Sequence, residues 1–193
     1  GPGGLVRIDA NGGCSVDEAL TRIPLLDKAA DGLEYVEQPV ADVADLAVVR
    51  RRVGVPIAAD ESIRRAADPY RVRDLAAADI AVLKVAPLGG MRALIALAHK
   101  LPMDVVVSSA LDTAVGISSG VSAAAALPGL HRACGLGTGE LFTRDVAPSF
   151  RIEHGVVTPR RVEPGIDLPL ASDERTQWWH DRLRRSHALL IGR

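Results

Sequence analysis

The sequence predicts a parallel α/β fold of the (β/α)-barrel type, and three observations carry this prediction. Short apolar runs rich in Val, Ile and Leu recur at intervals of about 25 residues, which suits one strand followed by one helix. A segment with helical character separates each pair of runs. Four of the runs end in a charged residue, and these residues are Asp9, Glu37, Asp60 and Lys84.

The predicted elements follow one another in a regular order along the chain. Strands are expected at residues 5–8, 33–37, 55–59, 80–85, 105–108 and 132–136. Helices are expected at residues 15–30, 42–53, 69–77, 91–99, 115–126 and 172–190. The first helix begins with the capping box of Ser15 and Glu18, in which each side chain accepts from the backbone of the other.

Two regions differ in composition. Residues 1–143 are expected to form a partial (β/α) barrel that carries a metal site. Residues 144–193 are expected to form an extended, proline-rich tail and a terminal helix that packs back on the protein through Trp178 and Trp179. A closed barrel has eight strands and about 250 residues. Six strand units in 193 residues therefore predict a truncated barrel whose front is absent.

The charged residues at the strand ends predict a metal site. In a parallel barrel the carboxyl ends of the strands surround one pocket, so Asp9, Glu37 and Asp60 converge there. Repulsion and desolvation disfavour three unpaired carboxylates, and a divalent cation relieves both. Oxygen ligands without His or Cys favour Mg²⁺ or Mn²⁺ over zinc. Each acid alone also fits a structural role, as a turn cap, a buried ion-pair partner or a helix start.

Charge and apolar content exclude several classes of function. The formal net charge of −1 gives no field that would recruit nucleic acid. The most apolar stretch, residues 121–130, is too short to span a bilayer. Cys14 and Cys134 form no CxxC pair, which indicates a reduced, cytoplasmic protein.

Five motifs in order along the chain resemble the enolase superfamily. They are DAN at 9–11, EQP at 37–39, ADES at 59–62, VLKVAPLGG at 82–90 and VVSSALDTAVGI at 106–117. More narrowly, together with GLGTG at 135–139, they resemble the o-succinylbenzoate synthases of the actinobacterial type. The likeness covers nearly the whole chain.

The resemblance implies a capping domain, missing here, followed by a modified barrel of which strands three to eight are present. It implies Mg²⁺ ligands at Asp9, Glu37 and Asp60 and a catalytic lysine at Lys84. Substrate contacts are implied at Ser108, Ser109, Gly135 and Gly137. Three further residues are expected to support these groups, namely Asn11, Glu61 and Asp112. Asp112 either holds the Lys84 ammonium or caps the following helix.

The activity implied by the resemblance is a lyase reaction of menaquinone biosynthesis. It dehydrates 2-succinyl-6-hydroxy-2,4-cyclohexadiene-1-carboxylate to o-succinylbenzoate through a metal-stabilised enediolate. The family's base comes from a Lys-x-Lys strand, and this chain has no Lys-x-Lys. We therefore expect the isolated chain to be poorly active.

Three alternatives remain open. Two are enzymes of the same superfamily, an N-succinylamino acid racemase and a cycloisomerase. The third is a non-catalytic barrel fragment, which would expose strand edges and associate with a missing N-terminal segment or with a second copy.

Overall fold

The computed structural model describes residues 4–64, 68–165, 168–169 and 171–192. Its centre is a five-stranded parallel sheet in the sequential order β1-β2-β3-β4-β5. The strands are β1 (Val6–Asp9), β2 (Leu33–Glu37), β3 (Ile57–Ala59), β4 (Ile80–Lys84) and β5 (Asp104–Ser108). Sequential parallel strands place all five carboxyl ends at one edge of the sheet, which is called the carboxyl edge below.

A helix follows each strand, as the sequence predicted. The helices are α1 (Val16–Ala29), α2 (Val43–Arg52), α3 (Asp68–Asp74), α4 (Met91–Ala98), α5 (Ala114–Ala126) and the terminal α6 (Asp173–Ile191). The predicted capping box of α1 is confirmed, because Ser15 Oγ accepts from Glu18 N and Glu18 Oε2 accepts from Ser15 N. Asp42 caps α2 by accepting from the amides of Ala44 and Asp45.

The prediction of a regular strand at 132–136 is wrong. This segment pairs with β5 through a single parallel bridge between Ser108 and Gly135. Gly135 N donates to Val107 O at 2.9 Å, and Gly135 O accepts from Ser109 N at 3.0 Å. Pairing does not extend because the 3₁₀ turn at Thr138–Leu141 begins soon after the bridge.

Apolar side chains cover the two faces of the sheet unequally. The larger core joins strands to helices and includes Ile57, Leu83 and Val107 beside Leu46 and Leu94. On the opposite face a smaller cluster contains Tyr35, Ala58, Ile80, Val82 and Val106. This alternation follows from the two-residue period of a strand. It also places the side chains of Glu37 and Lys84 on the face of the smaller cluster.

Charged residues at the amino-terminal part of the sheet link distant segments. Glu34 receives Arg7 Nε at 2.6 Å on one oxygen and Arg132 Nη1 at 3.0 Å on the other. Arg132 also pairs with Asp104 at 3.3 Å. Arg7 Nη1 donates to Ala133 O at 2.7 Å. These contacts tie the 132–136 segment to β1, β2 and β5.

The chain divides into two compact units, Gly1–Glu163 and Pro164–Arg193. In the second unit α6 begins at Ser172, whose Oγ accepts from Arg175 N. Trp178 and Trp179 meet edge to face with ring centroids 4.8 Å apart. The predicted domain boundary after residue 143 and the packing of α6 on the protein stay predictions. Within the described residues, no helix combines the length and apolar character needed to cross a membrane.

Candidate metal centre

The carboxyl edge of the sheet gathers most of the polar residues that the sequence singled out. Asp9, Glu37, Lys84 and Ser108 are the last residues of their strands. The strand register pairs Asp9 with Glu37 and Lys84 with Ser108. Asp60 follows β3 directly. The regular parallel sheet therefore brings residues from five successive strands to one edge.

Asp60 is the most buried acid of this edge. It is 1% exposed and meets two cationic side chains. Lys84 Nζ donates to its Oδ2 at 2.6 Å. Arg64 donates from Nη2 to Oδ2 at 2.6 Å and from Nε to Oδ1 at 3.2 Å. Two cations compensate the desolvation of a carboxylate that would otherwise be strongly destabilised.

Glu37 lies in an environment that disfavours its charge. Burial, followed by repulsion from Asp9 and Asp60, raises its pKa to about 7, and attraction to Lys84 opposes the rise. The three sequence-predicted acids therefore interact through space. Acids brought together without enough positive charge are typical of a site that takes a cation.

Glu61 adds a fourth carboxylate. Its Oε1 accepts from Arg64 Nη2 at 2.9 Å. Its Oε2 is buried and has no hydrogen-bond partner in the described part of the chain. A buried oxygen without a hydrogen-bond partner costs about 1–3 kcal/mol, and more when it is charged. A further cation here would give Glu61 Oε2 a partner.

Asp9 and Asn11 form a local turn. Asp9 Oδ1 accepts from Asn11 N at 2.9 Å, which is the geometry of an Asx turn. Asn11 has a φ of 46°, in the left-handed region that Asn tolerates. Asn11 thus contacts the Asp9 carboxylate through its backbone N–H.

Ser108 and Ser109 bind the segment around Gly135. Both hydroxyls donate to Gly135 O, at 3.3 and 3.2 Å, and Ser109 Oγ lies 2.7 Å from Thr138 Oγ1. A Cβ on Gly135 would lie 2.6 Å from Ser108 Oγ, so any larger residue there requires Ser108 to change its rotamer or the segment to move. At Gly137 a Cβ would lie 3.2 Å from Ile152 Cδ1.

Asp112 serves its own loop in the structure. Its Oδ2 accepts from Ala110 N at 2.9 Å. The Lys84 ammonium is held by Asp60, so the expectation that Asp112 holds it is wrong. The amino end of α5 is instead capped from a distance, because Asp145 Oδ2 accepts from Ala114 N at 2.9 Å.

Three polar residues at this edge were missed from the sequence. In the sequence, Arg64 is simply a basic residue four positions after Asp60, and such spacing is equally typical of a solvent-exposed helix face. Thr138 lies in the GLGTG stretch, of which only the glycines were singled out. Gln38 belongs to the EQP motif, but a neutral amide gives no charge pattern that sequence reasoning could use.

The donor set fits a hard divalent cation. All of its donors are carboxylate oxygens, which Mg²⁺ and Mn²⁺ prefer, and one buried oxygen of Glu61 has no partner. In the described residues, no three His, Cys, Asp or Glu side chains stand in a metal-ligating arrangement. Both oxygens of Asp60 instead accept from cationic side chains, Arg64 and Lys84. A cation bound by Asp60 would compete with Arg64 for the same carboxylate.

The parallel β/α sheet, with acids and a lysine at its carboxyl edge, places the chain among the barrel-type α/β proteins. The chain belongs to the enolase C-terminal domain-like family, which matches residues 1–175.

Curated relatives carry a more specific name. The chain is 54% identical over 193 residues to an o-succinylbenzoate synthase of Mycobacterium ulcerans (strain Agy99). It is 54% identical over 191 residues to an o-succinylbenzoate synthase of Mycobacterium tuberculosis (strain ATCC 25618 / H37Rv). Each comparison covers 97% of this chain and 58% of the relative, so the chain spans little more than half of their length.

Solved structures show the same fold. The L-Ala-D/L-Glu epimerase from Bacillus subtilis matches with a TM-score of 0.73 and 29% identity, over 86% of this chain and 47% of that one. Muconate cycloisomerase from Pseudomonas fluorescens matches with a TM-score of 0.75 and 25% identity, over 91% of this chain and 49% of that one. The chain is thus similar to enzymes with different named activities.

Proposed function

We propose that this chain carries the metal site and one catalytic lysine of an o-succinylbenzoate synthase, a Mg²⁺-dependent lyase of menaquinone biosynthesis. The name of the mycobacterial relatives supports the substrate. The observation that carries the proposal is the meeting of Asp60, Glu37 and Lys84 at the carboxyl edge. The substrate would be 2-succinyl-6-hydroxy-2,4-cyclohexadiene-1-carboxylate.

Asp9, Glu37 and Asp60 would hold the cation. When bound, Mg²⁺ supplies positive charge against the substrate carboxylate, whose neighbouring carbon loses a proton. The raised pKa of Glu37 fits this assignment, because its carboxylate has a deficit of positive charge before the cation arrives. Mn²⁺ would serve the same ligands.

Lys84 would act on the substrate directly. Its Nζ is oriented by Asp60 at 2.6 Å, and its side chain is 13% exposed, so it faces the edge without being sealed from it. An ammonium there places positive charge beside the substrate anion and can donate a proton to the departing hydroxyl. Ser108 and Ser109 would contact the substrate, supported by their position at the end of β5.

The chain lacks the lysine pair that would take the substrate proton. Its lysines are Lys28, Lys84 and Lys100, and they form no Lys-x-Lys. Lys28 lies in the last turn of α1, and Lys100 follows α4. We therefore expect little or no turnover from the 193-residue chain by itself.

The test has a binding arm and an activity arm. Isothermal titration with Mg²⁺ and Mn²⁺ should show one site in this chain, and Asp60→Asn should weaken it at least about tenfold. Unchanged affinity in Asp60→Asn would overturn the metal assignment.

For activity, the chain is assayed alone and after fusion to the upstream region of the Mycobacterium tuberculosis relative. Dehydration only in the fusion is expected, and no dehydration in either would favour a non-catalytic fragment.

A second candidate is proton transfer without loss of water, as in an N-succinylamino acid racemase or a cycloisomerase. The structural similarity to an epimerase and a cycloisomerase favours it. A racemase needs bases on both faces of the substrate carbon. Assaying the fusion with N-succinylamino acids and with the synthase substrate separates the two, since only racemisation exchanges the α-proton with solvent without forming an aromatic product.

We further propose a cytoplasmic enzyme that associates through the edge of β1. Free thiols at Cys14 and Cys134 support the location. At the edge of β1, Leu5 is 74% and Val6 is 44% exposed, which supports pairing with a preceding segment or with a second copy. Light scattering of the chain measures self-association, and a chain that stays monomeric would contradict pairing with a second copy.

A further inference from the structure

Gln38 is the most completely enclosed polar residue next to the candidate metal centre. It follows Glu37 and has 0% exposure. Its φ of 36° lies in the left-handed region, which costs free energy for a residue other than glycine. A buried polar side chain in a strained backbone persists only where its surroundings hold it firmly.

The side-chain amide of Gln38 uses both of its polar atoms. Oε1 accepts from Asp60 N at 3.0 Å and from Ser62 N at 3.2 Å. Nε2 donates to Val40 O and to Ser62 Oγ, each at 2.8 Å. Two donors and two accepted bonds exhaust what a glutamine amide can do. The planar amide thus fixes the loop after β3 against the segment after β2.

The backbone of Gln38 extends the connection to β1. Gln38 N donates to Ala58 O at 2.8 Å, and Gln38 O accepts from Gly12 N at 2.7 Å. Gly12 belongs to the loop that follows Asp9, and it has a φ of 72°. One residue therefore joins the loop after Asp9, the segment after Glu37 and the loop that begins at Asp60.

We propose that Gln38 is a positioning residue that sets the separation of the Glu37 and Asp60 carboxylates and thereby the affinity of the centre for a divalent cation. This inference rests on the proposed metal site. Glu37 precedes Gln38 by one peptide unit, and Asp60 is held by its own backbone N–H on the Gln38 amide. Movement of that amide changes the distance between the two carboxylates, although both carboxylates are still present.

Substitution at Gln38 separates positioning from general stability. Gln38→Met keeps the length of the side chain and removes all four bonds. We expect Mn²⁺ affinity to fall about 10-fold to 100-fold, as for other residues that orient metal ligands. The zero-field splitting in the electron paramagnetic resonance spectrum of bound Mn²⁺ should also change, because the ligand geometry changes.

Val49→Ala is the matched control. Val49 lies in α2, is 0% exposed and belongs to the large core. Its truncation lowers the melting temperature without touching the carboxyl edge. Mn²⁺ affinity and the spectrum should stay as in the parent chain. A Gln38→Met chain whose affinity and spectrum match those of Val49→Ala would overturn the proposal.

A second variant, Gln38→Asn, tests the proposal if the Gln38→Met chain does not fold. Gln38→Asn keeps an amide but withdraws it by one carbon–carbon bond, so the bonds to Asp60 N and Ser62 N lengthen or the loop moves. Weaker Mn²⁺ binding by a folded Gln38→Asn chain is expected, and binding equal to that of the parent would overturn the proposal. Absence of Mn²⁺ binding in the parent chain, or equal binding in Asp60→Asn, would instead overturn the metal site and the positioning role with it.

Discussion

Lys84 Nζ lies 2.6 Å from Asp60 Oδ2, although the two residues belong to different strand units. Asp60 follows β3, and Lys84 ends the neighbouring strand β4. The pair is formed by the parallel order of the sheet, since no local turn joins residues so far apart in sequence. Removing either side chain leaves its partner short of compensating charge.

Lys84→Met should destabilise the chain by about 2 kcal/mol, because Asp60 then keeps only Arg64. Urea unfolding followed by circular dichroism measures this loss. The control is Lys100→Met, which removes an exposed lysine beyond α4 and should have little effect. Equal loss in both variants would contradict a specific role for the Lys84–Asp60 pair.

Arg64→Met should tighten Mg²⁺ binding by about 10-fold, or about 1.4 kcal/mol. The guanidinium neutralises Asp60 and Glu61, and its removal leaves both carboxylates for the cation. Isothermal titration provides the measurement. Arg73→Met, which removes an exposed pair with Asp74, is the control. Weaker Mg²⁺ binding in Arg64→Met would show that Arg64 supports the cation rather than competing with it.

Gly135→Ala should cost about 1–3 kcal/mol of the free energy of unfolding. The new Cβ would lie 2.6 Å from Ser108 Oγ and 3.3 Å from Ser108 Cβ, so Ser108 must give up its bond to Gly135 O or the bridge to β5 must open. Gly54→Ala is the matched control, because a Cβ there meets nothing within 4 Å. Thermal unfolding should separate the two variants, and similar melting temperatures would contradict the predicted cost of a Cβ at Gly135.

The ion pairs of Glu34 should make the stability of the chain depend on pH. The hydrogen bond from Arg7, aided by Arg132 and opposed by desolvation, lowers the pKa of Glu34. The folded pKa therefore lies below the unfolded value, so the ion pairs stabilise fully above about pH 4.3. That stability is lost as the pH falls through the lowered pKa.

Glu34→Gln should flatten the acid side of the stability profile measured by urea unfolding. Glu140→Gln, at an exposed glutamate, should leave the acid limb as steep as in the parent chain. A profile of Glu34→Gln that keeps the parent's slope below about pH 4.3 would contradict the assignment.

The fold was predicted largely because its signal is periodic. Apolar runs about 25 residues apart sufficed to place five strands, each followed by a helix. The predicted strand at 132–136 failed, because a short run near Gly135 resembles a strand in composition while its backbone pairs only once. Pairing depends on partners distant in sequence, which periodicity does not reveal.

The position of the charged residues at the carboxyl edge was predicted from the sequence, whereas their role in binding a metal stays a prediction. Asp9, Glu37, Asp60 and Lys84 end apolar runs, so their convergence follows from the sheet alone. Gln38 and Arg64 escaped notice because their partners become apparent only when loops meet in space. The orphaned oxygen of Glu61 depends on burial, which a single sequence does not give.

Because a single bridge between Ser108 and Gly135 joins it to β5, the 132–136 segment is expected to open independently of the strands. Side-chain bonds of Arg7 to Ala133 O and of Arg132 to Glu34 attach the segment, in place of a continuous row of backbone hydrogen bonds. Segments held this way open at a free energy below that of global unfolding. Backbone amides there should exchange with deuterium sooner than those shared by β4 and β5. The segment beside Ser109 is therefore expected to open and close while the rest of the sheet stays folded.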